Sequence, residues 1–326
     1  MKRALTYLVV LVMGPALFAL SGVVPLLSAG NLVVVALHGL AAIGLSLIMG
    51  LGGQISLGHA AFYGVGAYTS AILTGRGVAP VVAMLAGMVL AGVLAAIVGR
   101  IVLRIRGHFL AMATLAFGLI FFFTVRAWDA LTGGNAGLGG IPDLALGPLI
   151  LDNDRNVFFV TWAILVLGLV LAGNLVDSRQ GRAVMAMGQS EVAATSSGVD
   201  LVRSKVIVFS VGAVYAAVAG SLYAHWVNYI SPEAFDLLAS VRFLVIASIG
   251  GLGSMLGAPV GSLVIVIITE LTRTVVPMFV PGATGSYEVT LYGIALVAVL
   301  VLSRDGITGA FRRFDVTKIR TPAGNP

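Results

Sequence analysis

Residues 31–75 read NLVVVALHGLAAIGLSLIMGLGGQISLGHAAFYGVGAYTSAILTG and contain no Asp, Glu, Lys or Arg. About 20 apolar residues are needed to cross the hydrocarbon core of a bilayer as a helix. The stretch is therefore long enough for two crossings. Gly52-Gly53 marks the break between them, because each glycine costs about 1 kcal/mol in a helix interior. The stretch predicts a pair of membrane helices.

The composition of the whole chain agrees with this local prediction. Of 326 residues, 59% are hydrophobic and 10% are charged, whereas about 25% of the residues of a soluble domain are charged. Apolar runs recur along the whole sequence, so we predict one all-α integral membrane domain spanning residues 1–326. The absence of cysteine excludes disulfides. The net charge of +6 comes from basic residues in short loops, so no nucleic acid is expected as a partner.

Basic residues cluster at four places along the chain: 2–3, 100–106, 179–205 and 304–320. The positive-inside rule places all four clusters, both termini and the tail 304–326 in the cytoplasm. The number of segments between successive clusters must then be even. The first run is longer than the roughly 7–15 apolar residues of a signal peptide, so we expect a retained helix. We predict a bundle of about ten transmembrane or half-membrane helices: 4–27, 31–50, 55–74, 78–99, 108–127, 157–176, 205–227, 238–250, 257–273 and 288–303.

The segment 238–250 is short for a full crossing, and a glycine-rich turn, Gly250-Gly251-Leu252-Gly253-Ser254, follows it. Half-helices occur inside membranes only where protein or a water-filled cavity covers their free backbone groups. We therefore predict that 238–273 forms two broken segments that meet at this turn.

Two loops are predicted on the outer face of the membrane. The loop 128–156 is long and glycine-rich, and a loop of this length is often a lid or a docking surface. A flexible connector is the alternative interpretation. The loop 229–240 forms the second outer surface.

The sequence GLGGQISLGHAAFYGVGAY, residues 50–68, combines the first glycine break with polar residues. Ser56, Ala60 and Gly64 recur every four residues, a spacing that lets helices approach closely in lipid. Gln54 and His59 are intramembrane polar groups, which usually face a cavity or the bundle interior. His59 either faces the pathway or forms a hydrogen bond to a backbone carbonyl in the core.

The region 177–204 is polar and is predicted to be cytoplasmic. Residues 181–200 are long enough for a helix that turns at Gly198, and the alternative is a plain loop. A surface helix pair between two spans is suited to receive force from a soluble partner. The glycine breaks at 52–53 and 250–253 together resemble the paired interrupted helices that mark a substrate pathway in transporters.

Five motifs in order resemble the permease subunits of branched-chain amino acid ABC importers of the LivM type. The resemblance covers residues 31–303. The motifs are SLGHAAFYGVGAY at 56–68, RGHFLAMATLAFG at 106–118, GRAVMAMGQSEVAATSSGVDLVRSK at 181–205, ISPEAF at 230–235 and GGLGSMLGAPVG at 250–261. The EAA signature by which ABC permeases engage their ATPases is interrupted here by Val192, between Glu191 and Ala193.

The resemblance implies a permease that forms half of a translocation pathway in the bacterial cytoplasmic (inner) membrane. The implied partners are a second, LivH-type permease, two LivG/LivF-type ATPase subunits and a soluble substrate-binding protein. ATP and Mg would bind the ATPase subunits, and this chain would carry no cofactor. The resemblance and the breaks assign the substrate pathway to Gln54, Ser56, His59, Ala60, Gly64, Tyr68, Gly250, Gly251 and Gly253. They assign ATPase coupling to Arg182, Glu191, Ala193, Ala194 and Gly198.

Other classes of function fit the sequence less well. The chain has no Gly-x4-Gly-Lys-Ser/Thr phosphate loop, so it cannot hydrolyse ATP by that route. An ion-coupled secondary transporter would need intramembrane carboxylates, and Glu270 is the only candidate, with Arg273 one turn away as an ion-pair partner. The sequence shows no set of nucleophile, base or metal ligands that would indicate an enzyme. It also shows no ring of polar groups that would indicate a channel. The pathway looks apolar, so urea, amides or small aromatic acids remain alternatives to branched-chain amino acids.

Overall fold

The computed structural model describes residues 2–22, 25–105, 107–146, 149–279 and 293–294. Of the tenth predicted segment, 288–303, only residues 293 and 294 are described, and the tail 304–326 lies outside the described residues. The described α-helices are α1 (Lys2–Leu20), α2 (Ala29–Ser46), α3 (His59–Gly75), α4 (Pro80–Val102), α5 (His108–Ala127), α6 (Asp129–Thr132), α7 (Asp154–Asp177), α8 (Arg179–Gln189), α9 (Glu191–Ser196), α10 (Leu201–Val227), α11 (Leu237–Gly250) and α12 (Gly257–Phe279).

The helices confirm an all-α polytopic membrane fold, and nine of the ten predicted segments coincide with described helices. Six helical segments in the described part of the chain are long and apolar enough to cross a membrane. They are Ala29–Leu51, Pro80–Val102, His108–Ala127, Asp154–Asp177, Leu201–Val227 and Gly257–Thr274. α1 and α11 contain shorter apolar helices, and α3 is a 17-residue helix with polar residues.

Burial separates central helices from peripheral ones. The most apolar window of α2 is 83% buried, whereas those of α4 and α5 are 22% and 17% buried. The exposed face of α4 is made of large aliphatic residues, among them Val89 and Ile101. Lipid can cover such a face, because lipid tails are as apolar as these side chains. The core is therefore formed by α2, α3 and α10, with α4 and α5 outside them.

Small residues allow the central helices to approach each other closely. A Cβ atom on Gly66 would overlap the backbone of Ala217, and one on Gly220 would overlap the backbone of Tyr63, so α3 and α10 touch through their main chains. α4 joins them through small buried residues that recur every four positions: Ala83, Gly87, Ala91, Ala95 and Gly99.

The predicted break between the first two core helices is confirmed. α2 continues as a π-helical turn, Leu47–Leu51, and Gly53 has a φ of +63° that favours glycine. Residues 52–58 are not helical, so α3 begins at His59 instead of the predicted residue 55. Two side chains of neighbouring helices anchor the α3 start: Thr114 Oγ1 accepts from Leu57 N, and Ser240 Oγ accepts from Ala60 N, both at 3.0 Å.

The predicted pair of broken segments is also confirmed, and we call α11, the turn 251–256 and α12 the broken hairpin. α11 has 14 residues, about 21 Å of helix, which is shorter than the roughly 30 Å of a bilayer core. Gly250 and Gly257 pack backbone against backbone where the two arms meet, and Gly251 has a φ of +98°. A side chain at Gly250 or Gly257 would force the arms apart.

The loop 128–156 is folded against the end of α10. Its strand β1 (Leu138–Gly139) pairs with β4 (Tyr229–Ile230) in antiparallel register, and β2 (Ala145–Leu146) pairs with β3 (Leu149–Ile150). Asn228 donates to the Ile141 carbonyl and to Asp143 Oδ1, both at 2.8 Å. We call this side of the bundle the loop end. The opposite side, which carries α8 and α9, is the α8 end.

We predict that Gly66→Ala destabilises the protein, because the added Cβ atom must push α3 away from the Ala217 backbone. Overpacking of this kind costs about 1–3 kcal/mol. Thermal unfolding of the purified protein in detergent measures the effect. Gly75→Ala is the matched control, since its Cβ atom would have no neighbour within 4 Å. Equal melting temperatures for the two variants would show that the close α3–α10 contact is wrong.

Candidate functional site

A cavity of about 270 Å³ lies between α2, α10, α11 and α12, in the half of the bundle nearer the loop end. Its position follows from the first turns of α2 and the last turns of α10 in its wall, since both lie at the loop end. Among the described residues, no group of three His, Asp or Glu side chains is placed to hold a metal ion. The lining residues are Asn31, Val34, Leu37, His38, Tyr223, Arg242, Ile265, Val266, Thr269, Glu270 and Arg273.

The cavity contains charges of both signs. Arg242 on α11 and Glu270 on α12 are half-buried, and Arg273 is exposed. The Arg242 guanidinium interacts electrostatically with His38, which also lines the cavity. The predicted ion pair between Glu270 and Arg273 stays a prediction. The expectation of an apolar pathway with few charges does not describe this cavity, because three charged side chains line it.

The remaining wall of the cavity is apolar. Val34 and Leu37 on α2 face the same space as Ile265 and Val266 on α12. His38 on α2 also lines the cavity, and its Nδ1 is buried and has no hydrogen-bond partner among the described residues. The cavity therefore combines a charged rim with an aliphatic wall.

α3 lies behind the cavity and meets it through an aromatic cluster. The ring of Tyr63 lies 5.7 Å from the ring of Tyr223, which lines the cavity, and 5.3 Å from that of Phe243. The ring of Tyr68 is 5.5 Å from that of Phe235. The hydroxyls of Tyr63 and Tyr68 are buried and have no hydrogen-bond partner in the described part of the chain.

The polar residues predicted for the pathway are buried inside the bundle. The side-chain atoms of Gln54 and Ser56 have no hydrogen-bond partner among the residues described. His59 Nε2 lies 3.0 Å from the Ala41 carbonyl, which matches the alternative of a core histidine hydrogen-bonded to backbone. His59 Nδ1 has no partner among these residues.

The small residues predicted for the pathway serve helix contacts in this structure. Ala60 binds Ser240 through its backbone, and Gly64 faces the rings of Phe121 and Phe235. Gly250 and Gly251 are buried at the turn of the broken hairpin, and Gly253 is exposed there. None of the nine predicted pathway residues lines the cavity. Their part in transport stays a prediction.

The two glycine breaks meet in space near the α8 end. A Cβ atom on Gly50 would overlap the carbonyl of Leu252 in the turn of the broken hairpin. A Cβ atom on Gly188, near the end of α8, would overlap the carbonyl of Leu51. Gly53 in turn lies against Gly188, with its Cβ position 3.5 Å from the Gly188 Cα. We call this set of backbone contacts, 50–53 with 188 and 252, the glycine node.

The region predicted to couple to an ATPase forms two short helices. Side chains cap the N-termini of α8, α9 and α10: Ser178 accepts from Gly181 N, Ser190 from Ala193 N and Asp200 from Arg203 N. Such caps are each worth about 1 kcal/mol. The sequence predicts a turn at Gly198, where φ is +80°, and the structure has a second break at Ser190.

The residues predicted for coupling differ in their environments. Arg182 is exposed and donates to the Asp177 carbonyl, and Ala193 is exposed. Ala194 is 2% exposed, so it packs inward. Glu191 forms an ion pair of 2.5 Å with Lys205, whose side chain is 7% exposed. The interrupting Val192 is 78% exposed, which places a large apolar side chain on the open face of α9.

Three residues of the cavity were not among the predicted site residues: Arg242, Asn31 and His38. Arg242 is the single charged residue between Asp236 and Glu270, inside a segment predicted to lie in the membrane. A charge in such a place is a candidate functional residue by default, so the signal was present. No sequence pattern indicates that Asn31 and His38 would join it, because they lie about 200 residues away in the chain.

The bundle of apolar helices contains two glycine breaks, a polar cavity and a surface helix pair. Together these features are those of a multi-pass membrane permease. Residues 28–300 match the family described as "Branched-chain amino acid transport system / permease component". The chain belongs to this family, which is a family of transport permeases and not of enzymes.

Relatives of known function agree with this assignment. The chain is 30% identical over 291 residues to the high-affinity branched-chain amino acid transport system permease protein LivM of Salmonella typhimurium strain LT2, and 30% identical over 297 residues to LivM of Escherichia coli strain K12. Each alignment covers 81% of this chain and 66% of the relative. It is also 27% identical to the permease LivH of Escherichia coli strain K12, over 86% of this chain and 93% of LivH. No solved structure matches the chain.

The Glu191–Lys205 pair is predicted to hold α9 against α10. Glu191→Gln leaves the ammonium of Lys205 without its carboxylate, which should cost about 2 kcal/mol and lower the melting temperature. The double variant Glu191→Gln/Lys205→Met removes both charges and should recover part of that loss. A double-mutant cycle by thermal unfolding measures this coupling, with Arg203→Gln as a control at a neighbouring exposed charge. Strictly additive effects would contradict the pair.

Proposed function

We propose that the protein is a permease subunit of an ABC importer and forms half of the translocation pathway for branched-chain amino acids. One observation carries this proposal: α8, which lies on the surface, contacts the first glycine break through Gly188, and that break contacts the turn of the broken hairpin through Gly50. A push on α8 would therefore reach the broken hairpin without passing through a flexible segment.

Energy would come from separate subunits, because the chain has no phosphate loop. Two LivG/LivF-type ATPases would bind ATP and Mg²⁺ and dock on the α8–α9 face. The exposed Val192 supplies an apolar anchor there, and exposed Arg182 supplies a charge at its edge. Closure of the ATPase dimer would move α8, and the glycine node would pass the movement to the broken hairpin.

The other half of the pathway would come from a second, LivH-type permease. This chain resembles both LivM and LivH relatives, which supports assembly from two homologous permeases. The complex would lie in the bacterial cytoplasmic membrane with both termini and α8 in the cytoplasm. The loop end would then face outside. A soluble binding protein would deliver substrate to the loops 128–156 and 229–240.

Branched-chain amino acids are the proposed substrate because the relatives named above transport them and because the cavity wall is aliphatic. In the alternative proposal, the same importer carries urea, amides or small aromatic acids. A second class, an ion-coupled secondary transporter, gains support from one observation: Glu270 is a half-buried carboxylate in the cavity wall. A transporter of that class would work without ATPases.

Proteoliposomes test the class of transporter. This chain, a LivH-type permease, the ATPases and the binding protein, reconstituted together, should accumulate radiolabelled L-leucine only when ATP is present. A proton gradient imposed without ATP should drive no uptake. Uptake by this chain alone under the proton gradient would contradict the ABC proposal and support the secondary transporter.

Docking of the ATPases on α9 makes a separate prediction. Val192→Asp places a charge on the apolar anchor, so we expect at least about tenfold less ATPase to co-purify, given that interface anchors are worth about 2 kcal/mol or more. Val192→Ile is the matched control and should retain the ATPases. Normal co-purification with Val192→Asp would mean that the ATPases dock elsewhere.

A further inference from the structure

We propose that the cavity between α2, α10, α11 and α12 is a binding site for a zwitterionic aliphatic α-amino acid. Arg242 would bind the carboxylate of the ligand, Glu270 would bind its ammonium group, and the wall of Val34, Leu37, Ile265 and Val266 would hold its side chain. This inference rests on the proposed function and adds the site and its chemistry.

The charges that line the cavity match those of a zwitterion. Ionisable residues among membrane helices are costly, and they persist where they serve a ligand path or pair with each other. Arg242 and Glu270 lie on opposite arms of the broken hairpin, and both line one cavity. A guanidinium matches a carboxylate in a bidentate geometry, and a carboxylate is a strong acceptor for an ammonium group. The two charges together fit a ligand that carries both signs.

The volume and the lining of the cavity suit a small aliphatic solute. Its volume of about 270 Å³ lies just below the roughly 300–1,000 Å³ of pockets that hold drug-sized ligands, so it suits a small solute. Four aliphatic side chains form one wall, and burying a side chain of leucine size is worth roughly 1.5–3 kcal/mol. Urea offers neither a charge nor an aliphatic group to this site.

Further polar groups complete the site. Asn31, His38 and Thr269 line the same space. Their side chains add polar groups around the ligand, beside the charges of Arg242 and Glu270.

The position of the site explains how transport would empty it. Arg242 is eight residues before Gly250, and Glu270 is thirteen residues after Gly257, so both stand on arms that pivot at the glycine contact. The turn between those arms touches Gly50 in the glycine node. A shift of the turn would change the separation of the two charges and weaken their joint hold on a zwitterion.

A labelling experiment in the reconstituted importer tests the site directly. The chain has no cysteine, so Val34→Cys gives a single reactive thiol in its sequence, within the cavity wall. We expect millimolar L-leucine to slow its reaction with a soluble methanethiosulfonate reagent. 4-Methylpentanoate lacks the ammonium group and 3-methylbutylamine lacks the carboxylate, so neither should protect. Arg76→Cys, at an exposed position after α3, is the control and should react equally with and without leucine.

Charge-neutral variants give the second arm. Arg242→Gln and Glu270→Gln should abolish protection in the Val34→Cys background and lower ATP-dependent leucine uptake about tenfold or more, because each loses a charge-assisted hydrogen bond. Arg242→Lys should retain partial protection. Arg76→Gln, at an exposed arginine after α3, should transport normally. If a neutral variant fails to assemble, comparing L-leucine, 4-methylpentanoate and 3-methylbutylamine on Val34→Cys alone still tests the site.

The outcomes separate this inference from the proposed function. ATP-driven leucine uptake without leucine protection, or with equal protection by all three probes, overturns the cavity as a zwitterion site and leaves the importer proposal standing. Selective protection by leucine supports the site, even where ATP fails to drive uptake and the importer proposal falls. Full uptake by both neutral variants would mean that the charges are structural only.

Discussion

The close backbone contact among residues 50–53, Gly188 and Leu252 is the constraint on which the rest of the structure depends. Side chains at Gly50 or Gly188 would overlap neighbouring carbonyls, so the contact exists only because these residues lack a Cβ atom. Through it the surface helix α8, the end of α2 and the turn of the broken hairpin form one packed unit. Packed units transmit displacement, because protein interiors are dense and poorly compressible.

The placement of charged side chains within the low-dielectric bundle is the second constraint on the structure. Three charges on the membrane helices show this: Arg242 and Glu270 line the cavity, and Lys205 is paired with Glu191 at the α8 end. A charge left facing lipid would cost several kcal/mol. The broken hairpin thus carries a polar site near its open end and a glycine contact at its tip, which links binding to movement.

Much of the fold followed from the sequence, because apolar length and glycine position act locally. The spans, the break at Gly52-Gly53 and the broken hairpin were all predicted. The cavity was not, because Asn31, Arg242 and Glu270 meet only through tertiary packing. The break at Ser190 was missed because a serine cap competes with helix continuation in a way that depends on the following residues. The inward turn of Glu191 depends on Lys205, fourteen residues later.

The central claim is that the broken hairpin moves in response to ATP. Pulsed electron–electron double resonance between two spin labels tests it most directly. Labels on Ser254 in the hairpin turn and on exposed Asn135 in the loop 128–156 would report the position of the turn relative to the loop end. We predict that the distance distribution between them shifts when the assembled importer binds ATP. An unchanged distribution, with the ATPases bound and closed, would contradict transmission through the glycine node.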